Sequence, residues 1–228
     1  MPVATRTIAA SASATRERLL AAGATLFAER GFHGTKIRDV AACAGVNVAA
    51  GNYHFGSKKA FYLAVLRAQF AQIWSVLARR GASMPPVLER LSRPQLMILL
   101  GARMRVMLEN LLGPPPSPHG MLMLREMCDP TEALPVIVRE FVEPMLGEMR
   151  AIVARLEPRL TPAAVEACAL SLVGQALFYR TTLPAMLLLR GEATLPRGRA
   201  AALASHIVEF SLGGMARTAA RGRSHRER

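Results

Sequence analysis

Apolar residues recur at helical spacing along most of the chain, and no segment alternates apolar and polar residues as a half-buried strand does. Two interruptions, at residues 81–86 and 113–120, are rich in Gly and Pro, which end helices. The pattern predicts helices over about residues 15–30, 48–54, 58–80, 94–112, 121–128, 131–156, 162–189 and 197–218, with a further short helix from Ile37. The chain is therefore predicted to be all-α.

Residues 37–55, IRDVAACAGVNVAAGNYHF, are predicted to form two short helices around a tight turn. Val40 and Ala41 give the first helix an apolar face. Gly45 stands where the chain reverses, and glycine tolerates the left-handed backbone that such a turn requires. In a helix-turn-helix the second helix, here about residues 48–54, enters the DNA major groove. The alternative is an ordinary helical hairpin inside an all-α domain.

The flanking residues favour the DNA-binding interpretation. Thr15 is placed to begin the preceding helix and Gly31 to end it. Thr35 is predicted to cap the first helix of the pair and to touch phosphate. Ser57 is predicted to cap a long helix that begins at Lys58. A lysine at a helix N-terminus is a good phosphate ligand because the helix dipole and the side-chain charge act together.

Residues 15–62 resemble the N-terminal DNA-binding domain of TetR-family transcriptional regulators. The matching elements are Phe-x-x-x-Gly-Phe/Tyr-x-x-Thr at Phe27, Gly31, Phe32 and Thr35, and Tyr-x-Phe-x-x-Lys at Tyr53, Phe55 and Lys58. The segment LREMCDPTEAL, residues 124–134, is similar to the signature of the CecR-like subgroup. The resemblance implies an N-terminal three-helix helix-turn-helix domain and a larger C-terminal helical domain for ligand binding and dimerisation.

The residues around the turn are predicted to contact DNA. Phosphates are expected near Tyr53 and Lys58, and base edges near Asn47 and Asn52, whose amide is suited to adenine. The full predicted DNA-binding set is Thr35, Lys36, Asn47, Val48, Ala49, Asn52, Tyr53, His54 and Lys58. TetR-like domains usually have Leu or Ile where this chain has Gly51, which predicts a loosely held second helix. The alternative is that Phe27 or Phe55 fills the space that the missing side chain leaves.

The chain is expected to divide into four parts. Residues 1–14 are predicted to be a flexible arm that forms a disordered leader. The alternative is that this arm contacts the DNA minor groove, with Arg6 as its charged residue. The other parts are the helix-turn-helix DNA-binding domain at 15–57, the effector-binding and dimerisation domain at 58–216, and a basic tail at 217–228. Within the second domain, residues 58–80 form the linking helix.

Thr161 and Pro162 are predicted to cap and begin the second-last helix, and Pro184 to kink or break it. The last two predicted helices carry small and apolar residues on one face. Two such helices from each subunit form a four-helix bundle about a two-fold axis, the arrangement by which TetR-like proteins dimerise. The predicted dimerisation residues are Ala167, Leu170, Gly174, Ala204 and Ile207. The alternative is that these faces pack only within the subunit.

Many of the 12 methionines lie in the helices between residues 94 and 156. The thioether side chain repacks readily, which suits adaptable binding surfaces. The predicted ligand-pocket residues are Phe70, Trp74, Met104, Met107, Arg125, Met127, Phe141 and Phe178. The alternative for each methionine taken singly is packing in the core, and the alternative for Arg125 is a structural ion pair with Glu126.

The net charge of +13 is unevenly distributed. Residues 1–80 hold 11 Lys and Arg against 3 Asp and Glu, whereas residues 81–228 hold 18 against 13. The basic excess therefore coincides with the helix-turn-helix, as a polyanionic partner requires.

The remaining composition argues against other classes of protein. Three cysteines, far apart, show neither metal-ligand spacing nor a disulfide framework, which is typical of a reducing cytoplasm. The chain lacks Gly-x-Ser-x-Gly, His-x-x-x-His and Gly-rich phosphate-loop motifs, so we expect no enzyme, cofactor or metal site. The N-terminus lacks the apolar core of a signal peptide, and no apolar run approaches the ~20 residues of a membrane span, so no membrane association is predicted.

Together these patterns predict a homodimeric, cytoplasmic regulator that binds a double-stranded DNA operator. We expect a repressor that is released by a small apolar or drug-like effector, since CecR-like proteins are associated with drug-export genes. The alternative is a helical DNA-binding protein without small-molecule control.

Overall fold

The computed structural model describes residues 3–47, 55–85, 87–113 and 118–224. Most of these residues are helical and none lies in a strand, which confirms the all-α prediction. A 3₁₀ turn at Leu88–Arg90 and a π-helical turn at Val138–Val142 accompany the helices. The helices are α1 (Val3–Gly34), α2 (Ile37–Cys43), α3 (Lys58–Arg79), α4 (Arg93–Leu112), α5 (Pro118–Cys128), α6 (Leu134–Ile137), α7 (Glu143–Leu156), α8 (Pro162–Arg190) and α9 (Arg199–Ser224).

The described residues form two compact units. The first unit comprises those up to Ile73 together with Pro118–Ile137, and the second comprises those in Trp74–Ser117 together with those from Val138 onward. The predicted boundary before Lys58 differs from this division, because most of α3 and all of α5 and α6 belong to the first unit.

Aromatic side chains fill the core of the first unit. Phe27 of α1 is fully buried, with its ring centroid 4.7 Å from that of Tyr62 and 5.7 Å from that of Phe61 on α3. Gly23 allows the two helices to approach, because a Cβ there would lie only 2.6 Å from the Phe61 ring. Val40 and Ala41 of α2 are fully buried, as their apolar spacing predicts.

Arg125 on α5 caps the end of the regular part of α1. The helical backbone is interrupted at Gly31, which has φ 71°, so the carbonyls just before it lack helical partners. The Arg125 guanidinium donates hydrogen bonds to the carbonyls of Ala28 (2.7 Å) and Glu29 (2.5 Å). The interruption at Gly31 was predicted, whereas Arg125 was predicted to line a ligand pocket and instead holds α5 to α1.

Glu126 makes a second link within the first unit. Its side chain is almost fully buried, at 1% exposure. The carboxylate accepts hydrogen bonds from the Tyr62 hydroxyl (2.7 Å) and from the backbone and hydroxyl of Thr131 (3.2 and 2.9 Å). Burial and the adjacent carboxylate raise the pKa of the Tyr62 phenol. Among the described residues Arg125 and Glu126 form no ion pair with each other, and each is bonded to another part of the unit.

Both chain ends are more helical than the sequence analysis predicts. α1 begins at Val3, within the predicted flexible arm, and α9 continues to Ser224, within the predicted basic tail. Alanine, the best helix former, is frequent in both segments, and neither Gly nor Pro occurs between Val3 and Ala22. Thr15 consequently lies inside α1 and does not cap it.

The second unit is built around α4. Leu96, Leu100, Met104 and Leu108 of this helix are buried in a core that includes residues of α7, α8 and α9. Arg103 is buried as well, and it donates to the carbonyl of Ala82 (2.7 Å) and pairs with the Glu148 carboxylate of α7.

Local capping signals set the ends of α3 and α8 as predicted. The Ser57 hydroxyl accepts a hydrogen bond from the backbone of Ala60 (3.1 Å), and Thr161 accepts one from Ala164 (3.2 Å). α8 continues through Pro184, where a kink or break was expected, and ends at Gly191 with φ 64°.

The bond between Tyr62 and Glu126 generates a stability prediction. Replacing Tyr62 with Phe should lower the free energy of unfolding by about 1.5–3 kcal/mol near neutral pH, because a buried carboxylate loses a donor. The raised pKa of the phenol means that this stabilisation is complete below the unfolded-state pKa of about 10 and is lost as the pH rises above it. Chemical denaturation of wild type and Tyr62→Phe from pH 7 to 11 measures both effects.

Tyr179→Phe is the matched control. The Tyr179 hydroxyl makes no hydrogen bond to the described part of the chain, so its removal should change stability by less than the Tyr62 substitution. Equal effects of the two substitutions would contradict the role assigned to Glu126.

Candidate nucleic-acid interface and ligand-binding region

The turn after α2 has the geometry that Gly45 predicts. The backbone N–H of Gly45 donates to the carbonyl of Ala42 (3.1 Å) and that of Val46 to Ala41 (3.0 Å), with Gly45 at φ 63°. These paired bonds form a Schellman motif, which ends a helix and redirects the chain. Asn47, exposed, follows the turn. The remaining predicted DNA contacts Val48, Ala49, Asn52, Tyr53 and His54, and the unusual Gly51, lie outside the described residues.

Thr35 occupies a different place from the one predicted. It is fully buried, and its hydroxyl donates to the carbonyls of Leu26 (3.0 Å) and Gly31 (2.8 Å). The N-cap position of α2 is Lys36, and no side chain caps that helix. Phosphate oxygens only accept hydrogen bonds, so a hydroxyl that already donates inside the protein is no phosphate ligand. Thr35 therefore secures the α1–α2 connection and is removed from the DNA-binding set.

Lys58 is held at the start of α3. Its ammonium group lies 4.6 Å from the centroid of the Phe32 ring and donates to the carbonyl of His33 (3.4 Å). Partial burial lowers the pKa of the Lys58 ammonium. Lys59 has a different environment, because it is paired with Glu132 at 2.5 Å. The neighbouring lysines are therefore not equivalent, and only Lys58 packs against the α1–α2 connection.

The structure adds two arginines to the predicted cationic surface. Arg38 of α2 is exposed and lies opposite the buried Val40 and Ala41, at 3.4 Å from Asp39. Arg16 of α1 is also exposed, with its guanidinium 5.5 Å from the centroid of the Phe55 ring. Arg38 could have been predicted from the sequence, because the apolar residues Val40 and Ala41 bury one face of α2 and leave the opposite face exposed to solvent. No local pattern indicates Arg16.

The predicted pocket residues have dissimilar environments. In the first unit Phe70 is buried, and Met127 is 45% exposed. In the second unit the Trp74 and Phe141 rings pack edge to face with centroids 5.9 Å apart. The other predicted residues of the second unit are Met104, which is buried in the core, Met107, which is partly buried, and Phe178, which is 60% exposed on α8. The exposure of Met127 and Phe178 makes them unsuitable as walls of an enclosed pocket.

A cavity of about 100 Å³ does occur in the second unit, away from the predicted pocket residues. It lies near the end of α8 and the start of α9, with Tyr179, Leu183, Met186 and Leu203 in its wall. The volume is below the ~300–1,000 Å³ of typical ligand sites.

The predicted dimerisation residues separate into exposed and buried groups. Ala167, Leu170 and Gly174 lie on an exposed stripe of α8. Ala204 and Ile207 of α9 are buried in the core of the second unit, so they pack within the subunit, which was the alternative considered for them. The side of α9 that carries Ala204 and Ile207 faces α4, and this contact hides them.

Among the described residues, two helices are long and apolar enough to cross a membrane by length and composition alone. They are α3 and α8, each with a mean hydropathy of 1.3, and only 17% of the apolar window in α8 is buried. No such segment was expected from the sequence. In α8 the exposed apolar stripe accounts for the result.

Comparisons with known proteins give a consistent identification. The family described as "Bacterial regulatory proteins, tetR family" matches residues 19–65, and the C-terminal domain of the HTH-type transcriptional dual regulator CecR matches residues 98–215. The HTH-type transcriptional regulator RutR of Escherichia coli K12 is 44% identical over 62 residues, which cover 27% of this chain and only 29% of RutR.

Solved structures share the fold. A transcriptional regulator from Rhodococcus sp. Rha1 has a TM-score of 0.60 at 23% identity, covering 87% of this chain and 96% of its own. AibR, crystallised with isovaleryl coenzyme A and operator DNA, has a TM-score of 0.59 at 17% identity, covering 86% of this chain and 97% of its own. Because the two sequence families together span both units, the chain belongs to the TetR family of bacterial transcriptional regulators, with a CecR-type C-terminal domain.

Proposed function

We propose that the protein is a homodimeric repressor whose first unit binds operator DNA and whose C-terminal domain binds a small effector that releases the DNA. The observation that carries the DNA-binding part is the Gly45 turn beside the packed ammonium group of Lys58 at the start of α3. The turn directs the chain into the predicted recognition segment, and Lys58 supplies a fixed positive charge at a helix N-terminus.

The cationic surface supports contact with the DNA backbone. Lys36 and Arg38 are exposed on and beside α2, and Lys58 is fixed by Phe32 and His33. Phosphate contacts from such groups set the position of the protein on the duplex, whereas the recognition segment reads bases. The cytoplasmic location that is typical of the family agrees with this function.

The exposed stripe of α8 supports dimerisation. Leu170 is 50% exposed and Phe178 is 60% exposed. Gly174 lies between them and Ala167 lies just before Leu170, both exposed on the same side of the helix. A two-fold pairing of α8 would cover these groups. It would also place two recognition segments on one operator, which a single helix-turn-helix needs for useful specificity.

Effector control is supported by the continuity of α3 and by the place of α5. Residues of α3 occur in both units, and α5 is tied to α1 through Arg125. A ligand that binds one conformation of the C-terminal domain better than another would shift the recognition segments by its difference in affinity. AibR, which has the same fold, was crystallised with an acyl coenzyme A and operator DNA. The effector proposed here is small and apolar or drug-like.

The DNA-binding proposal is tested by replacing Lys58 with Ala, using operators obtained by selection from random DNA. Affinity should fall for all sequences alike, and the slope of log K against log salt should decrease by about one, because one phosphate contact is lost. Fluorescence anisotropy titrations at several salt concentrations measure both quantities. Selection of no preferred DNA sequence by the wild type would overturn the proposed function.

Lys59→Ala is the matched control for this test. It removes the same charge from the adjacent position, but Lys59 is already paired with Glu132. We expect a smaller change in affinity and salt slope than for Lys58→Ala. If the two variants lose affinity equally, Lys58 has no special role as a phosphate ligand.

The dimer is tested by Gly174→Glu. A Cβ at Gly174 meets no atom within 4 Å inside the subunit, so the subunit should fold, whereas a charge buried between two copies of α8 should be strongly unfavourable. Light scattering should show a monomer, and operator affinity should fall at least about tenfold. Ala154→Glu, at an exposed position of α7, should remain dimeric. A Gly174→Glu dimer with normal operator affinity would place the interface elsewhere.

Effector binding is tested by linkage. A compound that releases the operator should also raise the melting temperature of the DNA-free protein, because it stabilises the conformation that it selects. Trp74, the single tryptophan, packs on Phe141 and should change its fluorescence if the compound binds beside that pair. A compound that releases DNA without raising the melting temperature acts on the DNA or at the DNA-binding surface, contrary to the proposal.

A further inference from the structure

A cleft of about 400 Å³ lies between α4 and α9 in the second unit. Its volume is within the ~300–1,000 Å³ that small-molecule sites occupy. The residues that decide its chemistry are Arg80, Ile98, Gly101, Arg105, Ala204 and Ser205. None of them belongs to the predicted pocket, and of the predicted dimerisation residues only the buried Ala204 lies in the cleft wall.

The floor of the cleft is open because its residues are small. Ile98, Gly101 and Arg105 lie three and four residues apart on α4, so they share one face of the helix. A Cβ built at Gly101 would meet no atom within 4 Å. Ala204 on the facing helix adds only a methyl group. A larger side chain at Gly101 would therefore project into the cleft without disturbing the core.

The charges in the cleft favour a monoanion. Arg105 is exposed and forms no ion pair with any described residue. Arg80 pairs with Glu109, which lies one helical turn beyond Arg105 on α4. Two guanidinium groups and one carboxylate leave a net charge of about +1, which complements a single carboxylate and disfavours a dianion beside Glu109.

An apolar surface adjoins these charges. Ile98 is 71% exposed, and large aliphatic side chains carry a cost in water that a ligand would relieve by covering them. A suitable ligand would thus present a carboxylate to the arginines and a short hydrocarbon body to Ile98. The hydroxyl of Ser205 supplies a further hydrogen-bond donor at the cleft wall.

We propose that the cleft between α4 and α9 binds a small monocarboxylate with a hydrocarbon body, held at its carboxylate by Arg105 and Arg80. Arginine binds carboxylate through paired, charge-assisted hydrogen bonds, which fixes the ligand's orientation as well as adding affinity. The binding site stands by itself, and its effect on DNA rests on the regulatory function proposed above.

Calorimetric titration of the DNA-free, full-length protein with sodium octanoate at low salt tests the site. Wild type should bind octanoate, and octan-1-ol, which lacks the charge, should bind at least about tenfold more weakly. Arg105→Ala should weaken octanoate binding at least about tenfold, because a charge-assisted hydrogen bond is lost. Gly101→Leu, which keeps every charge but fills the cleft, should abolish binding.

Arg139→Ala is the matched control, since it removes an exposed arginine of the same unit outside the cleft, and it should bind octanoate as wild type does. Circular dichroism and melting temperatures establish that each variant is folded. The proposal is overturned if wild type shows no binding at millimolar octanoate, or if Arg105→Ala and Gly101→Leu both bind as wild type does.

Operator binding, measured by fluorescence anisotropy with and without octanoate, distinguishes a failure of the proposed cleft site from a failure of the proposed repressor function. Release of operator by octanoate from wild type but not from Gly101→Leu supports both. Failure of wild type to bind any selected operator, with the calorimetric pattern intact, overturns the repressor proposal and supports the site.

Discussion

The buried carboxylate of Glu126 is the constraint on which the first unit depends. A charged group at 1% exposure is tolerated only when its oxygens are hydrogen-bonded, and here Tyr62 and Thr131 supply the donors. The adjacent Arg125 satisfies the carbonyls that the break at Gly31 leaves without helical partners. Arg125 thus binds α1, and the next residue, Glu126, binds α3. Any shift of α5 therefore disturbs at least one of these sets of bonds.

This arrangement gives α5 a direct role beside the DNA-binding elements. Thr35 is fixed by the carbonyls of Leu26 and Gly31, close in sequence to the carbonyls of Ala28 and Glu29 that Arg125 holds. Thr35 lies in the α1–α2 connection, just before α2. The start of α3 also contacts this connection, because the Lys58 ammonium packs on the Phe32 ring and donates to the carbonyl of His33. Any change that the C-terminal domain transmits to α5 therefore has a short route to the proposed DNA-binding surface.

Sequence reasoning succeeded where a structural feature depends on a few adjacent residues. The Gly45 turn, the Ser57 cap and the Thr161 cap are each determined by local backbone geometry, which a short motif contains. It failed for Thr35, Arg125 and Ile207, because their environments are created by helices distant in sequence. A threonine that caps a helix and one that bonds a preceding helix have the same local pattern, and an apolar helix face does not reveal whether it meets α4 or a second subunit.

The discontinuity of the first unit has a consequence for its formation in the cell. The chain emerges from the ribosome from its N-terminus, so α1, α2 and α3 are synthesised before the segment that carries Arg125 and Glu126. Until that segment arrives, the Tyr62 hydroxyl and the α1 carbonyls lack the partners seen in the folded protein. The bonds that join α5 to α1 and α3 thus form only after α4 has been made, which links the maturation of the first unit to synthesis of part of the C-terminal domain.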